Sequence, residues 1–121
     1  MHMNSDFAAQ VRPILKEAIQ GPEDTCATFE VTGAPDKWVQ YCNGTLNVAY
    51  PFYEDPEVKL SNFLARPEIE GLSDFDEGKY ATVLLQNPSD PRVVNLIEDY
   101  FVTMLNCVSG EFTVDASIEQ L

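Results

Sequence analysis

Few residues of this chain have the chemistry of a catalyst. The single histidine, His2, lies in residues 1–5, a terminus expected to fray, which nearly excludes a histidine-dependent active site. Cys26, Cys42 and Cys107 are odd in number, far apart and without a C-x-x-C pair. That pattern suits a reducing cytosol better than an oxidising compartment. Cys107 is expected in the last turn of a helix, where the dipole disfavours a thiolate, so it reads as an inert core or boundary residue. Asp74-x-Asp76-Glu77-Gly78 gathers carboxylates of the kind hard cations take. Its glycine comes one position too early for a calcium loop and no bidentate acid closes it, so a solvated acidic loop over residues 68–78 is expected. There is no Gly-rich phosphate loop, no G-x-S-x-G elbow and no metal-spaced Cys/His set. Among 20 acids, spacing alone cannot single out an acid/base pair. The expectation is a protein that is not an enzyme, with no catalytic residue, no metal and no cofactor.

The residue types that could recognise a partner cluster elsewhere. In Lys37-Trp38-Val39-Gln40-Tyr41-Cys42-Asn43-Gly44-Thr45-Leu46-Asn47-Val48-Ala49-Tyr50, Asn-Gly separates two β-prone runs. A two-residue type I′ turn needs positive φ at both central positions, so Asn-Gly is the strongest short-range hairpin signal. Pairing Cys42 with Thr45 then sets Tyr41 against Leu46, Val39 against Val48 and Trp38 against Ala49. One face becomes Val39, Tyr41, Leu46 and Val48. The other carries Trp38, Gln40, Cys42, Thr45, Asn47 and Ala49, a mostly polar surface holding the chain's only tryptophan. An exposed indole needs a cover: a helix of the same chain, a second copy, or a client. Trp38, Gln40, Asn47 and Tyr50 are therefore the expected partner-binding residues.

Charge narrows the partners. Twenty acidic against seven basic residues leave a net charge of −13. Nucleic acid and anionic membrane surfaces are excluded as partners, since both require cationic groups. A cationic partner would be attracted, although strong acidity also serves solubility. No basic region followed by an apolar core opens the chain, and no apolar run approaches the roughly 18 residues of a membrane span. A cytoplasmic location is the expectation.

The 121 residues suffice for one domain, residues 1–121, with a core that needs neither disulfide nor metal. Phe7, Val11, Ile14, Leu15, Ala18 and Ile19 repeat at helical spacing until Gly21-Pro22, with Pro13 predicting a kink or a later start. Residues 25–32 alternate as a half-buried strand, and the hairpin completes a three-strand meander. Asp55-Pro56-Glu57 predicts a short capped helix using Val58, Phe63 and Leu64, ended by Arg66-Pro67. Residues 80–85 read as a strand covered on both sides, the best protected of the sheet. Asn87-Pro88-Ser89-Asp90-Pro91 starts what should be the longest helix, with Val94, Ile97, Phe101, Met104, Leu105 and Val108 inward and Glu98 and Asp99 outward, stopped by Gly110. Phe112, Val114 and Ala116 form a last short strand. The order α-β-β-β-α-β-α-β predicts an α+β fold, an antiparallel meander sheet with helices mainly on one face.

In these features the chain resembles the type III secretion chaperone-like superfamily, the TY-Chap group that includes YbjN-type domains. The resemblance rests on the leading amphipathic helix, on Trp38-Val39-Gln40-Tyr41 followed by Leu46-Asn47-Val48, and on the late helix from Val93 to Val108 followed by Gly110-Glu111-Phe112. It spans about Phe7 to Ala116. It implies a small, acidic, usually dimeric protein that binds an extended segment of a client or effector-like protein without ATP. A second expectation comes from charge alone: an acidic inhibitor or immunity-type protein that blocks a basic surface.

Overall fold

The computed structural model describes residues 5–121. The chain runs α1 (Ser5–Gln20), β1 (Thr25–Val31), β2 (Ala34–Cys42), β3 (Thr45–Ala49), α2 (Pro56–Lys59), α3 (Ser61–Leu64), β4 (Ile69–Asp76), β5 (Tyr80–Leu85), α4 (Val93–Thr103) and β6 (Val114–Gln120). All six strands join one antiparallel sheet in the order β4-β5-β3-β2-β1-β6. The fold is α+β, close to the expected order, with the acidic stretch as the main difference.

The meander forms as the turn chemistry requires. Asn43 and Gly44 take φ of 51° and 83°, and β2 pairs with β3 as Val39↔Val48, Gln40↔Asn47, Tyr41↔Leu46 and Cys42↔Thr45. The Gly44 N–H donates to the Tyr41 hydroxyl at 3.1 Å, so a core side chain reaches back to hold the turn. Ala27, Phe29, Val39, Tyr41, Leu46, Val48, Ala81 and Val83 form the buried face, in one core with Val11 and Leu15 of α1 and Leu96, Ile97 and Phe101 of α4. Both helices therefore cover the same side of the sheet.

Helix α1 buries Phe7, Val11, Leu15 and Ala18 along one stripe. It runs unbroken from Ser5 through Pro13, which is exposed on its outer side, so the late-start alternative is corrected. Apart from Ser5, the expected fraying of residues 1–5, and His2 with it, lies outside the described residues. With 16 residues α1 is the longest helix described; α4 has 11, ends at Thr103, and leaves Val108 exposed. Gly110 takes the expected positive φ of 80°, but α4 ends earlier and Asn106 (φ 60°) already takes positive φ ahead of it, so Cys107 lies beyond the helix.

Four further expectations are corrected. The stretch 68–78 is no loop: β4 pairs with β5 from Ile69↔Leu85 to Asp76↔Tyr80, with two bulges that absorb its irregular apolar spacing. Strand β5 is not covered on both sides, because Tyr80, Thr82 and Leu84 alternate with buried Ala81, Val83 and Leu85. The Asp55 cap forms, its carboxylate accepting from the Glu57 N–H at 3.0 Å, but the helix splits into α2 and α3, burying Leu60 and exposing Val58. Cys26 and Cys42, 16 residues apart, face each other across β1 and β2 with Cα atoms 4.5 Å apart and are joined by a disulfide. Sequence distance between cysteines was the wrong measure; cross-strand register was the right one.

Candidate functional site

The side of the sheet opposite the helices carries the candidate surface. Strand alternation places Cys26, Thr28 and Glu30 of β1, Trp38, Gln40 and Cys42 of β2, Thr45, Asn47 and Ala49 of β3, and Tyr80, Thr82 and Leu84 of β5 on this open face. A polar row crosses it. Thr82 Oγ1 donates to Asn47 Oδ1 at 2.7 Å, Asn47 Nδ2 donates to Gln40 Oε1 at 3.1 Å, and Gln40 Nε2 donates to Thr28 Oγ1 at 3.1 Å. The four residues joined by these three bonds sit in register across β5, β3, β2 and β1, and every donor points the same way along the row. Each amide spends its acceptor and one N–H on the row and keeps one N–H. The row ends at Ser117, which β6 sets beside Thr28.

Trp38 is half-buried, packed against the edge of the core, and stands opposite Glu30, which in turn faces Asp115 of β6. At the other flank Tyr80 Oη donates to Asp74 Oδ2 at 2.9 Å, and the hydrogen bond with Asp74 raises the Tyr80 hydroxyl above its ordinary value. The open-face positions of β1, β3, β4, β5 and β6 include carboxylates and no Lys or Arg. Lys37 precedes Trp38 on the opposite side, where its charge acts on Cys107. Asp76 pairs with Lys79 at 3.5 Å across the β4–β5 turn. Among the described residues no three His, Cys, Asp or Glu side chains converge as a metal-holding group.

Of the four expected partner-binding residues, the structure brings Trp38, Gln40 and Asn47 together on this face. Tyr50 is corrected. It is fully buried, its hydroxyl donates to the Glu54 carbonyl, its N–H donates to the Lys79 carbonyl at 3.0 Å, and its ring meets Phe52 edge-on at 5.2 Å. Burial, then the nearby Glu54, raises its hydroxyl above the ordinary tyrosine value. The strand alternation that places Ala49 on the open face ends there, and the chain turns into the core.

The pairing of charged groups on the helical side, and the burial of Glu68 and Glu98, were not legible from sequence. Arg66 pairs with Asp99, 33 residues away, and with Glu68 at 3.4 Å. The hydrogen bond to Asp99 raises the Arg66 pKa. Glu98, expected on a solvated face, is 6% exposed, and its Oε2 is buried without a partner among the described residues. It lies one turn from both Val94 and Phe101, which are buried, and Phe101 meets Phe7 of α1 edge-on, so the helical stripe carries it inward.

Burial, then the charge of Asp99, raises the Glu98 carboxyl above its usual range. The folded state therefore holds that proton to a higher pH than the unfolded chain, and stability is lost as pH rises through the folded value. Glu98→Gln removes this loss. At pH 7 it is expected to stabilise by about 1 kcal/mol, roughly 4 °C in Tm, with the gain gone below about pH 4. Thermal melts at both pH values check it; an equal gain at each would assign the effect to packing and not to charge.

No helix among the described residues is long and apolar enough to cross a membrane. Comparison with protein-family models, with curated proteins and with solved structures finds no match to this chain.

Proposed function

We propose that this chain is a non-enzymatic protein-binding domain that holds an extended segment of a client or effector-like protein on its open sheet face. One observation carries the reading: the helices pack on a single side, leaving a face of six strands with Trp38 beside a hydrogen-bonded polar row. A fixed row of amides and hydroxyls offers directional contacts, while the indole adds apolar area at little entropic cost. The resemblance in apolar spacing to secretion chaperone-like domains supports an escort mode without nucleotide, in the cytoplasm, with a two-fold dimer as the working assembly. A dimer contact would use the sheet face or a helix stripe and avoid the acidic residues 68–77, because a net charge of −13 opposes self-association elsewhere.

A second reading, an acidic inhibitor that blocks a basic surface, is favoured by the carboxylates Glu30, Asp74, Asp76, Asp115 and Glu119 flanking this face. One variant tests both. Trp38→Ala is expected to weaken capture of the natural partner about tenfold or more while moving Tm by less than about 3 °C, as for an interface aromatic. Affinity measured across a salt series separates the two: persistence at 0.5 M salt, which screens exposed charges to about 4 Å, supports the client segment held on the open face. A steep loss with salt, carried by the on-rate, supports the inhibitor. A large fall in Tm for Trp38→Ala would return the indole to the core and overturn the assignment.

A further inference from the structure

The two edges of the sheet differ in a way that selects one of them and names its occupant. Strand β4 has register shifts at Ile69/Gly71 and Leu72/Asp74, the kind of bulging that blunts an edge against further pairing. Strand β6 is regular, pairing with β1 over seven consecutive residues from Thr25↔Gln120 to Val31↔Val114. At its ends the Thr32 N–H donates to the Thr113 carbonyl at 2.9 Å and the Leu121 N–H donates to the Asp24 carbonyl at 3.0 Å. Antiparallel alternation then turns the backbone groups of Val114, Ala116, Ile118 and Gln120 away from β1, toward the free edge. The Val114 N–H is occupied, donating to Gln10 Oε1 at 3.2 Å, which closes that end. Among the described residues a template of three, Ala116, Ile118 and Gln120, stays open.

The side chains beside this template are unequal in charge. Asp115, Ser117 and Glu119 point to the open face, in line with Glu30, Thr28 and Cys26, while Ala116 and Ile118 lie on the helix side. Asp115 also accepts from Thr32 Oγ1 at 3.1 Å. A second copy paired two-fold along the whole of β6 would set each Asp115 directly across from the other's Glu119, a like-charge arrangement that destabilises cross-strand pairs. The same spacing suits a strand carrying two cations four residues apart.

Resting on the protein-binding reading above, we propose that the free edge of β6 accepts an extended basic segment of the partner as a seventh strand. Lys or Arg at its first and fifth positions face Asp115 and Glu119, and apolar residues at its second and fourth positions lie beside Ala116 and Ile118. The added strand extends the cross-strand row Trp38–Glu30–Asp115 by one position, so its site is continuous with the open face.

The test uses the full chain and two end-blocked synthetic peptides, Lys-Val-Thr-Val-Lys and Glu-Val-Thr-Val-Glu, each flanked by Gly-Ser. The basic peptide is expected to bind and to slow amide exchange at Ala116, Ile118 and Gln120, while the acidic peptide does not bind. In Asp115→Lys/Glu119→Lys the preference reverses, a change of about tenfold or more from two swapped cross-strand pairs. Ala116→Pro, which removes an outward N–H and no bond to β1, abolishes both. Slowed exchange confined to the residues around Trp38, or along β4, would overturn the edge assignment and leave the protein-binding reading standing. Binding of neither peptide overturns the basic-strand proposal, and the capture assay with Trp38→Ala judges the broader reading separately. Exchange at Ala116 and Ile118 that slows with protein concentration and no peptide would make a second copy the occupant.

Discussion

Tyr50→Ala unfolds this protein far more readily than substitution of Trp38, Gln40 or Asn47 on the open sheet face. The side chain is fully buried and makes an edge-on contact with Phe52 at 5.2 Å, so its removal leaves a ring-sized cavity. Deleting a buried aromatic costs about 3–5 kcal/mol, which in a domain of this size lowers Tm by more than about 10 °C. Tyr50→Phe separates the ring from its hydroxyl. It leaves the Glu54 carbonyl without its donor and is expected to cost about 1 kcal/mol. The neighbouring Ala49 carbonyl is held independently, by the Tyr100 hydroxyl at 2.6 Å, and burial pushes that hydroxyl well above the ordinary tyrosine range. Denaturant unfolding of the two variants measures both effects. A Tyr50→Ala protein of near wild-type stability that lost its partner would restore Tyr50 to the binding surface.

Reduction of the Cys26–Cys42 bond is the second large effect. The bond closes a loop of 16 residues, and releasing a loop of that length from constraint in the unfolded chain costs about 3 kcal/mol, roughly 10 °C in Tm. Melting with and without reductant should differ by that amount, and Cys26→Ala/Cys42→Ala should melt low in both. The third thiol, Cys107, is buried and raised in pKa by that burial, so a folded, oxidised chain should resist alkylation until it is unfolded. Identical melts in both conditions would show that the strands hold without the bond. Because Cys26 is fully buried, alkylation in denaturant of chain taken directly from its cells extends the test to compartment: alkylated Cys26 and Cys42 support the cytoplasm, and their protection supports an oxidising compartment.

The elements most legible in the sequence were those specified within a few residues. Asn43-Gly44 dictated both the turn and the register of β2 and β3, because only a short list of residues accepts positive φ twice in succession. From that register the two faces of the hairpin followed, and with them the positions of Trp38, Gln40 and Asn47. The α1 stripe was likewise local, since four inward residues at helical spacing need no knowledge of what they pack against. What misled was acidity. Glu70, Asp74 and Asp76 suggested a solvated loop, yet they form an edge strand whose buried contacts are few.

The sequence by itself determined the hairpin, the amphipathic helix, the Asp55 cap and the α+β class, each from periodicity or turn chemistry acting over neighbouring residues. Tertiary structure alone decided that Tyr50 turns inward, that Glu98 is buried, that Cys26 meets Cys42, and that β6 crosses the molecule to lie beside β1 with a regular edge exposed. Each of those depends on which distant segment fills the space alongside, and a free energy of packing shared among segments far apart in the chain leaves no mark in local spacing.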